Sequence, residues 1–248
     1  MATSLVFGFH AVDAVLRERP GDIHSLHVLA KRSDKRIEKV VAKASGRNIP
    51  VEKLDRAALD QMVRGGRHQG VIARVEESAR VEASSLAGII EASEQPLILV
   101  LDGIQDPHNL GACLRTADAA GVDAVVIPKR NAAGVTPTVR RIAAGAAESV
   151  PVIAVSNIAR TLEEMGQAGV WMTGTDDDAD STLYDVELTG PTAIVFGAEE
   201  NGMRSLTRQH CDRVVSIPMA GAVESLNVSV AAGVVLYEVV RQRRRKKR

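Results

Sequence analysis

The polar residues best placed for chemistry occur in three segments of this 248-residue chain, and the first is DPHNLGACLRTADAAG (106–121). Asn109 can cap a helix at its start, while Arg115 lies on an otherwise small and apolar helix. Because burying an unpaired charge is costly, the guanidinium needs an anionic partner, and a phosphate can bind it through two hydrogen bonds. A structural ion pair with Asp118 or Glu148 is the alternative.

The second segment is IVFGAEENGMR (194–204), in which an apolar strand leads into glycines and carboxylates. Gly197 follows the strand directly, and a glycine there allows backbone amides to face a ligand. Glu199 is placed to hydrogen-bond to a ligand or to accept a proton. An ordinary polar turn would show the same pattern.

The third segment, SIPMAGAVESLNVSVAAGVVLYEVV (216–240), ends in an apolar helical stripe that we assign to the core. Ser225 and Asn227 stand at the amino end of that helix, where side-chain oxygens meet backbone amides that lack helical partners. Helix capping alone would explain both residues equally well.

Several common site patterns are absent from the sequence. GAEENG (197–202) lacks the spacing of a Rossmann fingerprint, and the Met-Arg that follows excludes a phosphate-binding P-loop. The six histidines show no spacing typical of metal ligands, so we predict no metal. The acidic residues in 176–180 could bind a cation, although a solvated loop is the more common role for such a run.

Apolar patterns predict how these segments are positioned. From Pro96 onward strands and helices alternate, which indicates an α/β domain with a largely parallel sheet. In such sheets ligands bind beyond the carboxyl ends of the strands, where the loops after Leu101, Phe196 and Ile217 all lie. The predicted strands are 97–102, 122–128, 151–155, 170–175, 192–197 and 213–218, and the predicted helices are 110–120, 136–146, 157–168, 204–210 and 225–240.

The amino-terminal part has its own, shorter alternation of elements. The pattern predicts helices around 11–16, at 34–45 and at 55–63, with strands at 25–30, 49–54 and 70–75. The following stretch is small, polar and acidic, and its pattern predicts a short helix inside it. We therefore divide the chain into a small α/β domain (1–77), a linker (78–95), a larger α/β domain (96–240) and a basic tail (241–248).

Composition favours a globular protein of a reducing compartment. The chain is 45% hydrophobic, and its start lacks the charged and apolar regions of a signal peptide. No apolar run reaches the 18 residues of a membrane span, so no membrane partner is expected. The two cysteines, Cys113 and Cys211, are far apart, which fits a cytoplasmic location.

Charge is distributed unevenly although the formal net charge is zero. Residues 1–80 and the last eight residues, RQRRRKKR, are basic, while residues 81–240 are acidic. Basic ends suggest that the chain holds a polyanion, although a role in solubility alone would look the same. Since only six residues are aromatic, phosphate charge and shape should contribute more to any RNA binding than base stacking.

In order and spacing, NLGACLR (109–115), IVFGAEENGM (194–203) and IPMAGAVESLNVSVA (217–231) resemble the three motifs of the SpoU family of RNA 2′-O-methyltransferases, within the SPOUT class. The resemblance extends over the whole chain. Residues 4–77, with GFHAV and HQGVIARV, are similar to the family's small RNA-binding domain, which has a ribosomal-protein-like fold. LDGIQDPHNLGACLRTADAAGV and LNVSVAAGVVLYEVVRQR resemble the members that methylate a guanosine ribose in 23S ribosomal RNA, whereas the basic tail RRRKKR is less typical.

The resemblance implies a carboxy-terminal trefoil knot, S-adenosylmethionine as cofactor without a metal, and a homodimer with each active site built across the interface. It implies a catalytic and substrate-orienting set of Asn109, Arg115, Glu199, Ser225 and Asn227, and a cofactor-binding set of Thr175, Gly197, Ile217, Met219 and Leu226. A methyltransferase that acts on transfer RNA, a non-catalytic ribosome-assembly factor and a nucleotide-dependent α/β enzyme are the alternatives.

The same resemblance assigns a catalytic role to Arg115, and physical chemistry narrows that role. A guanidinium has a pKa above about 12, which makes it a poor general base at neutral pH. We therefore expect Arg115 to hold the adjacent phosphate and to stabilise the developing alkoxide. Glu199 or a phosphate oxygen would then receive the proton of the ribose hydroxyl.

Overall fold

Two separate β-sheets organise the part of the chain that the structure describes. The computed structural model describes residues 3–30, 34–63, 66–76, 85–198 and 202–246. A four-stranded sheet lies in the amino-terminal part, and a seven-stranded sheet follows it.

The amino-terminal sheet has the order β1-β4-β2-β3, in which β4 runs antiparallel to both of its neighbours and β3 runs parallel to β2. The predicted helices and strands of this part are confirmed, whereas β1 was not predicted. Its apolar core forms between the sheet and the first two helices. The elements are β1 (Thr3–Phe7), α1 (Phe9–Glu18), β2 (Ile23–Leu29), α2 (Lys35–Ser45), β3 (Val51–Leu54), α3 (Arg56–Met62) and β4 (Val71–Glu76).

The larger sheet has the order β7-β6-β5-β10-β8-β11-β9, and all its neighbouring strands are parallel. Every residue of β5, β6 and β10 is buried, as expected for strands covered on both faces. The elements are α4 (Leu86–Glu91), β5 (Leu97–Leu101), α5 (Pro107–Ala120), β6 (Ala124–Pro128), α6 (Pro137–Ile142), α7 (Ala146–Ser149), β7 (Val152–Val155), α8 (Ile158–Gln167), β8 (Trp171–Thr175), β9 (Ser181–Thr182), β10 (Thr192–Phe196), α9 (Ser205–Gln209), β11 (Arg213–Ser216) and α10 (Val228–Lys246).

The single helix predicted at 136–146 is wrong, because the chain forms α6 and α7 with a break between them. Ala144 and Gly145 have positive φ angles of 53° and 103° at the break. Gly145 faces α1 so closely that a Cβ would lie 2.9 Å from the Cβ of Ala14 and from the carbonyl oxygen of His10. The break thus allows close packing of α7 on α1.

A buried ion-pair cluster joins the two parts of the molecule. Glu148 of α7 has a side chain that is 1% exposed and contacts Arg19 on one side and Arg140 on the other. The sequence alternative in which Glu148 pairs with Arg115 is therefore wrong.

The final helix begins later and continues further than predicted. It starts at Val228 rather than at 225, and the basic residues 241–246 form its last turns. Arg243 donates hydrogen bonds to the carbonyl oxygens of Gln95 (2.8 Å), Pro96 (3.2 Å) and Gly190 (2.8 Å). Burial lowers the pKa of this guanidinium. The basic segment is therefore partly a structural anchor.

None of the helices in the described ranges is both long enough and apolar enough to cross a membrane.

Candidate active site

A cavity of about 760 Å³ opens at the carboxyl ends of β8, β10 and β11. The sheet order makes these strands neighbours, with Phe196 paired to Thr175 and Thr175 paired to Val215. The cavity thus lies at the edge of the sheet where the sequence predicts a ligand site. The lining residues are Asn109, Thr175, Asp176, Asp177, Phe196, Gly197, Ala198, Gly202, Met203, Val215, Ile217, Met219, Glu224, Ser225, Leu226, Asn227, Val228 and Ala231.

Eight of the ten residues predicted for the site line this cavity, from four separate parts of the chain. They are Asn109, Thr175, Gly197, Ile217, Met219, Ser225, Leu226 and Asn227. Arg115 is not among the lining residues, and Glu199 lies outside the described residues. The sequence analysis did not assign Met203 or Glu224 to the site, although both lie within its quoted segments, and it considered Asp176 only as a possible cation ligand.

Ala198 and Gly202, the described residues on either side of 199–201, pair closely after β10. Ala198 and Gly202 form two backbone hydrogen bonds, of 2.8 and 3.0 Å, and Gly202 has a φ of 61°. A Cβ at Gly197 would lie 2.2 Å from the carbonyl carbon of Gly202 and from the backbone nitrogen of Met203. Only glycine fits at position 197, because any side chain would push the loop away from the strand.

Asn109 and Asn227 meet at the edge of the cavity. The Nδ2 of Asn227 donates to the Oδ1 of Asn109 at 3.1 Å, and the Oδ1 of Asn227 accepts from the backbone nitrogen of Ser229 at 2.9 Å. Asn227 therefore caps α10 and contacts α5 at the same time. The prediction that Asn109 caps a helix is wrong, because Asp106 accepts from the backbone of His108 and caps α5.

Arg115 is exposed, and among the described residues it forms no hydrogen bond or ion pair. It lies six positions after Asn109, a spacing that puts it about 120° around the helix and about 9 Å along it. The expectation of a buried guanidinium is therefore wrong. The alternative pair with Asp118 is also wrong, since the carboxylate of Asp118 accepts from the hydroxyl of Ser149.

The acidic loop after β8 is anchored rather than freely solvated. Arg208 of α9 donates to the Oδ2 of Asp176 at 2.6 Å and to the carbonyl oxygen of Asp178 at 2.9 Å. Within the described ranges, no group of three or more His, Cys, Asp or Glu side chains is arranged to hold a metal ion.

Cys211 packs behind the cavity wall. Its Sγ lies 3.7 Å from the Sδ of Met203, a lining residue, and burial raises its pKa to about 12. The thiol is therefore neutral at physiological pH and unsuited to act as a nucleophile.

The cavity combines apolar side chains with backbone groups of loops and a pair of amide side chains. Its volume lies in the range of pockets for organic cofactors, and its lining includes Phe196, Gly197 and Met203 around the turn after β10. This arrangement suits a ligand with an apolar ring and several hydrogen-bonding atoms. S-adenosylmethionine, the cofactor that the family resemblance implies, has both.

Comparison with solved structures shows that this fold is similar to that of SpoU methyltransferases. The crystal structure of the SpoU methyltransferase AviRb from Streptomyces viridochromogenes, in complex with the cofactor AdoMet, matches with a TM-score of 0.80 and 27% sequence identity. The match covers 98% of this chain and 91% of that one. Fold and cavity together are those of an α/β RNA methyltransferase that has an amino-terminal substrate-binding domain.

Sequence comparison defines the family. A model described as the SpoU rRNA Methylase family matches residues 96–237, and one described as RNA 2'-O ribose methyltransferase substrate binding matches residues 5–81. The chain belongs to the SpoU rRNA methylase family, as the three motifs indicated.

Two curated relatives match nearly the whole chain. It is 52% identical over 239 residues to the 23S rRNA (guanosine-2'-O-)-methyltransferase RlmB of Pseudomonas aeruginosa, with 96% of each chain covered. It is 48% identical over 241 residues to RlmB of Yersinia pestis, with 97% of this chain and 98% of that one covered.

Proposed function

We propose that this chain transfers a methyl group from S-adenosylmethionine to the ribose 2′-hydroxyl of a guanosine in 23S ribosomal RNA. The observation that carries the proposal is the cavity, where the loops after three neighbouring strands meet beside the Asn109–Asn227 pair. The similarity to 23S rRNA methyltransferases over almost the full chain specifies the substrate.

The cofactor-binding group that we propose surrounds the cavity. Backbone groups at Gly197, Ile217 and Leu226 would hold the cofactor, with Thr175 and Met219 completing the walls. S-adenosylmethionine, when bound, supplies a methyl group that is already activated on a sulfonium, so that no metal is needed. The chain's own contribution is to exclude water and to orient the ribose oxygen, which can lower the barrier by several kcal/mol.

Asn109, Ser225 and Asn227 would orient the ribose at the cavity edge. The Asn227 amide is fixed by hydrogen bonds to two elements and can present a group in a defined direction. We propose that Glu199 or an RNA phosphate oxygen accepts the hydroxyl proton. Arg115 would bind the adjacent phosphate through bidentate hydrogen bonds and stabilise the developing alkoxide.

We infer that the active protein is a homodimer in which Arg115 acts on the partner's cavity. The side chain of Arg115 on α5 is exposed and does not line the cavity of its own chain. Val230 and Tyr237 of the adjacent α10 are each 52% exposed, and their seven-residue spacing places them on one helix face. A second copy covering α5 and α10 would bury this apolar face.

Mixing two inactive variants tests the shared site. Arg115→Ala and Asn227→Ala each remove one part, and randomly paired chains should recover about a quarter of the wild-type activity because one of two sites in each mixed dimer is complete. Size-exclusion chromatography with light scattering checks that dimers form. A mixture as inactive as its parents would place Arg115 and Asn227 in the same chain's site.

We also infer a trefoil knot in the larger domain. Strand β11 lies between β8 and β9, which the segment 176–180 connects. The chain that leaves β11 must pass this segment before it reaches α10, which packs against α5. A chain that passes through the loop formed by 176–180 in this way would restrict the movement of the loops that surround the cavity.

The amino-terminal domain, which we place at 1–77 and join to the catalytic domain (96–240) by the linker 78–95, would hold the RNA. Exposed basic side chains on α2, Lys35, Arg36 and Lys39, fit an electrostatic contact with phosphates. The two thiols are free, which is consistent with action in the cytoplasm.

Mapping ribose methylation in RNA from cells that lack this protein tests the function. We expect one guanosine of 23S ribosomal RNA to lose its 2′-O-methyl group, and the purified protein to restore it in the presence of S-adenosylmethionine. Loss of methylation in transfer RNA alone would favour the transfer RNA alternative. Absence of cofactor binding by calorimetry would favour a non-catalytic factor.

A further inference from the structure

A fully buried carboxylate lies behind the cavity and is not part of its lining. Asp102 follows β5 directly, is 0% exposed, and accepts a 2.6 Å hydrogen bond at Oδ2 from the hydroxyl of Thr207 in α9. Its Oδ1 has no hydrogen-bond partner within the described part of the chain, and the nearest cation is Arg204, with Nη1 at 3.7 Å. Burying a carboxylate that is incompletely satisfied is costly, so a mere packing contact would be better served by an apolar residue.

Asp102 and its neighbour contact both ends of the loop that follows β10. The backbone nitrogen of Asp102 donates to the carbonyl oxygen of Phe196 at 2.8 Å, where the loop leaves the sheet. A Cβ at Gly103 would meet Ala198 at 3.4 Å and the Nη2 of Arg204 at 3.7 Å. The start of the loop after β10 is therefore held by a backbone hydrogen bond from Asp102. Its end is held by the contacts between the Asp102 side chain and α9.

Helix α9 also anchors a second wall of the cavity. Arg208 binds Asp176 and the backbone of Asp178 in the loop after β8. The side chain of Thr207, one residue earlier, is turned inward and 2% exposed. The hydrogen bond from Thr207 to Asp102 therefore fixes one short helix, and that helix carries contacts to both loops.

We propose that Asp102, acting through Thr207, is a positioning residue that sets the spacing of the two cavity loops and thereby the affinity for the methyl donor. The inference rests on the proposed function, because it takes the cavity as the binding site for S-adenosylmethionine. Neither Asp102 nor Thr207 lines the cavity, so both act without touching the ligand.

A pair of substitutions at Thr207 separates the hydrogen bond from packing. Thr207→Val keeps the volume and removes the hydroxyl, and we expect about tenfold weaker binding of S-adenosylmethionine by calorimetry. Thr207→Ser keeps the hydroxyl and should bind within about twofold of wild type. Thr192→Val is the matched control, because the buried hydroxyl of Thr192 bonds the carbonyl oxygen of Gly190 at the opposite end of β10.

Turnover at saturating cofactor gives a second readout. We expect Thr207→Val to raise KM for S-adenosylmethionine and to leave kcat near the wild-type value, because the reacting groups are unchanged. Asp102→Asn keeps the shape and a neutral acceptor, so it should show an intermediate loss of affinity. If Thr207→Val does not fold, the affinity of Asp102→Asn for S-adenosylmethionine tests the same inference.

Equal affinities of wild type and Thr207→Val would overturn the inference, as would equal losses in the valine and serine variants. A comparable loss in Thr192→Val would also overturn it, because the effect would then not be specific to α9. If the unaltered protein does not bind S-adenosylmethionine, the proposed function fails together with this inference.

Discussion

Asn109 and Asn227 are 118 residues apart in the chain, and yet their side chains form a hydrogen bond at the cavity edge. Each amide can both donate and accept, so one pair can join α5 to α10. Asn227 also caps its helix through Ser229. The functional and the capping interpretations of Asn227 are therefore compatible at the level of the single residue.

Substitution of Gly197 tests whether the close backbone contact after β10 is needed for cofactor binding. Gly197→Ala places a methyl group 2.2 Å from the backbone at Gly202, and we expect it to destabilise the protein by about 1–3 kcal/mol and to abolish cofactor binding. Urea unfolding and calorimetry measure the two effects. Gly134→Ala is the control, since a Cβ there has no neighbour within 4 Å. Normal binding by Gly197→Ala would show that the turn adapts.

Arg115 tests whether bidentate geometry matters. Arg115→Lys keeps the charge but loses the planar pair of donors, so we expect at least about a tenfold loss of kcat/KM for RNA. The unfolding free energy and the affinity for S-adenosylmethionine should not change, because the side chain is exposed and outside the cavity. Arg160→Lys, in an exposed pair with Glu164, is the control. Near-normal turnover of Arg115→Lys would argue against the phosphate contact.

At the scale of elements, α10 carries three separate tasks along its length. Its amino end borders the cavity, its middle packs against α5, and its basic end binds the loops at the amino ends of the strands. The side chain of Gln242 assists there, accepting from the backbone of Leu188 and donating to the carbonyl oxygen of Val186. Removal of the whole segment 241–248 would thus change folding as well as RNA binding.

Single substitutions in α10 separate these two effects. Arg243→Ala removes three hydrogen bonds from a half-buried guanidinium to backbone carbonyl oxygens, and we expect a loss of about 2 kcal/mol in the free energy of unfolding. Arg244→Ala removes an exposed charge, so stability should stay within about 0.5 kcal/mol while the salt dependence of RNA binding decreases. Denaturant titration and binding at several salt concentrations measure both. Equal stabilities of the two variants would contradict the anchoring role.

At the scale of the whole molecule, the cluster at Glu148 fixes how the amino-terminal part sits on the larger domain. A carboxylate this deeply buried needs both of its arginines, since either alone would leave hydrogen-bonding capacity unsatisfied. The surface of α2 that we propose binds RNA is thereby held at a defined position relative to the cavity. With this geometry, contacts made by one domain would orient a nucleotide in the other.

Neutralising Glu148 tests this coupling. Glu148→Gln removes the charged partner of Arg140 and one of the two carboxylates that pair with Arg19, and we expect the free energy of unfolding to fall by about 3 kcal/mol. The loss of the contact should also separate the unfolding of the two parts in urea, as followed by circular dichroism. Glu164→Gln, in an exposed pair, should cost less than about 1 kcal/mol. A variant as stable as wild type would mean that the two parts are not coupled here.

The amino-acid sequence by itself determined the family, the parallel α/β architecture and most of the elements. Strand and helix periodicities depend on near neighbours, and the motifs are short, so both can be recognised without a structure. For the same reason the loops after Leu101, Phe196 and Ile217 could be predicted to border a ligand site, although the cavity lies at the ends of β8, β10 and β11.

Only the tertiary structure decided which residues meet. It placed β10 between β5 and β8 and joined Asn109 to Asn227. It also left Arg115 exposed and bound Arg243 to a carbonyl oxygen at the amino end of β10. It also broke the helix at Gly145, where α1 packs against it. These outcomes depend on contacts between residues far apart in the chain, and local periodicity carries no information about the direction in which such partners approach.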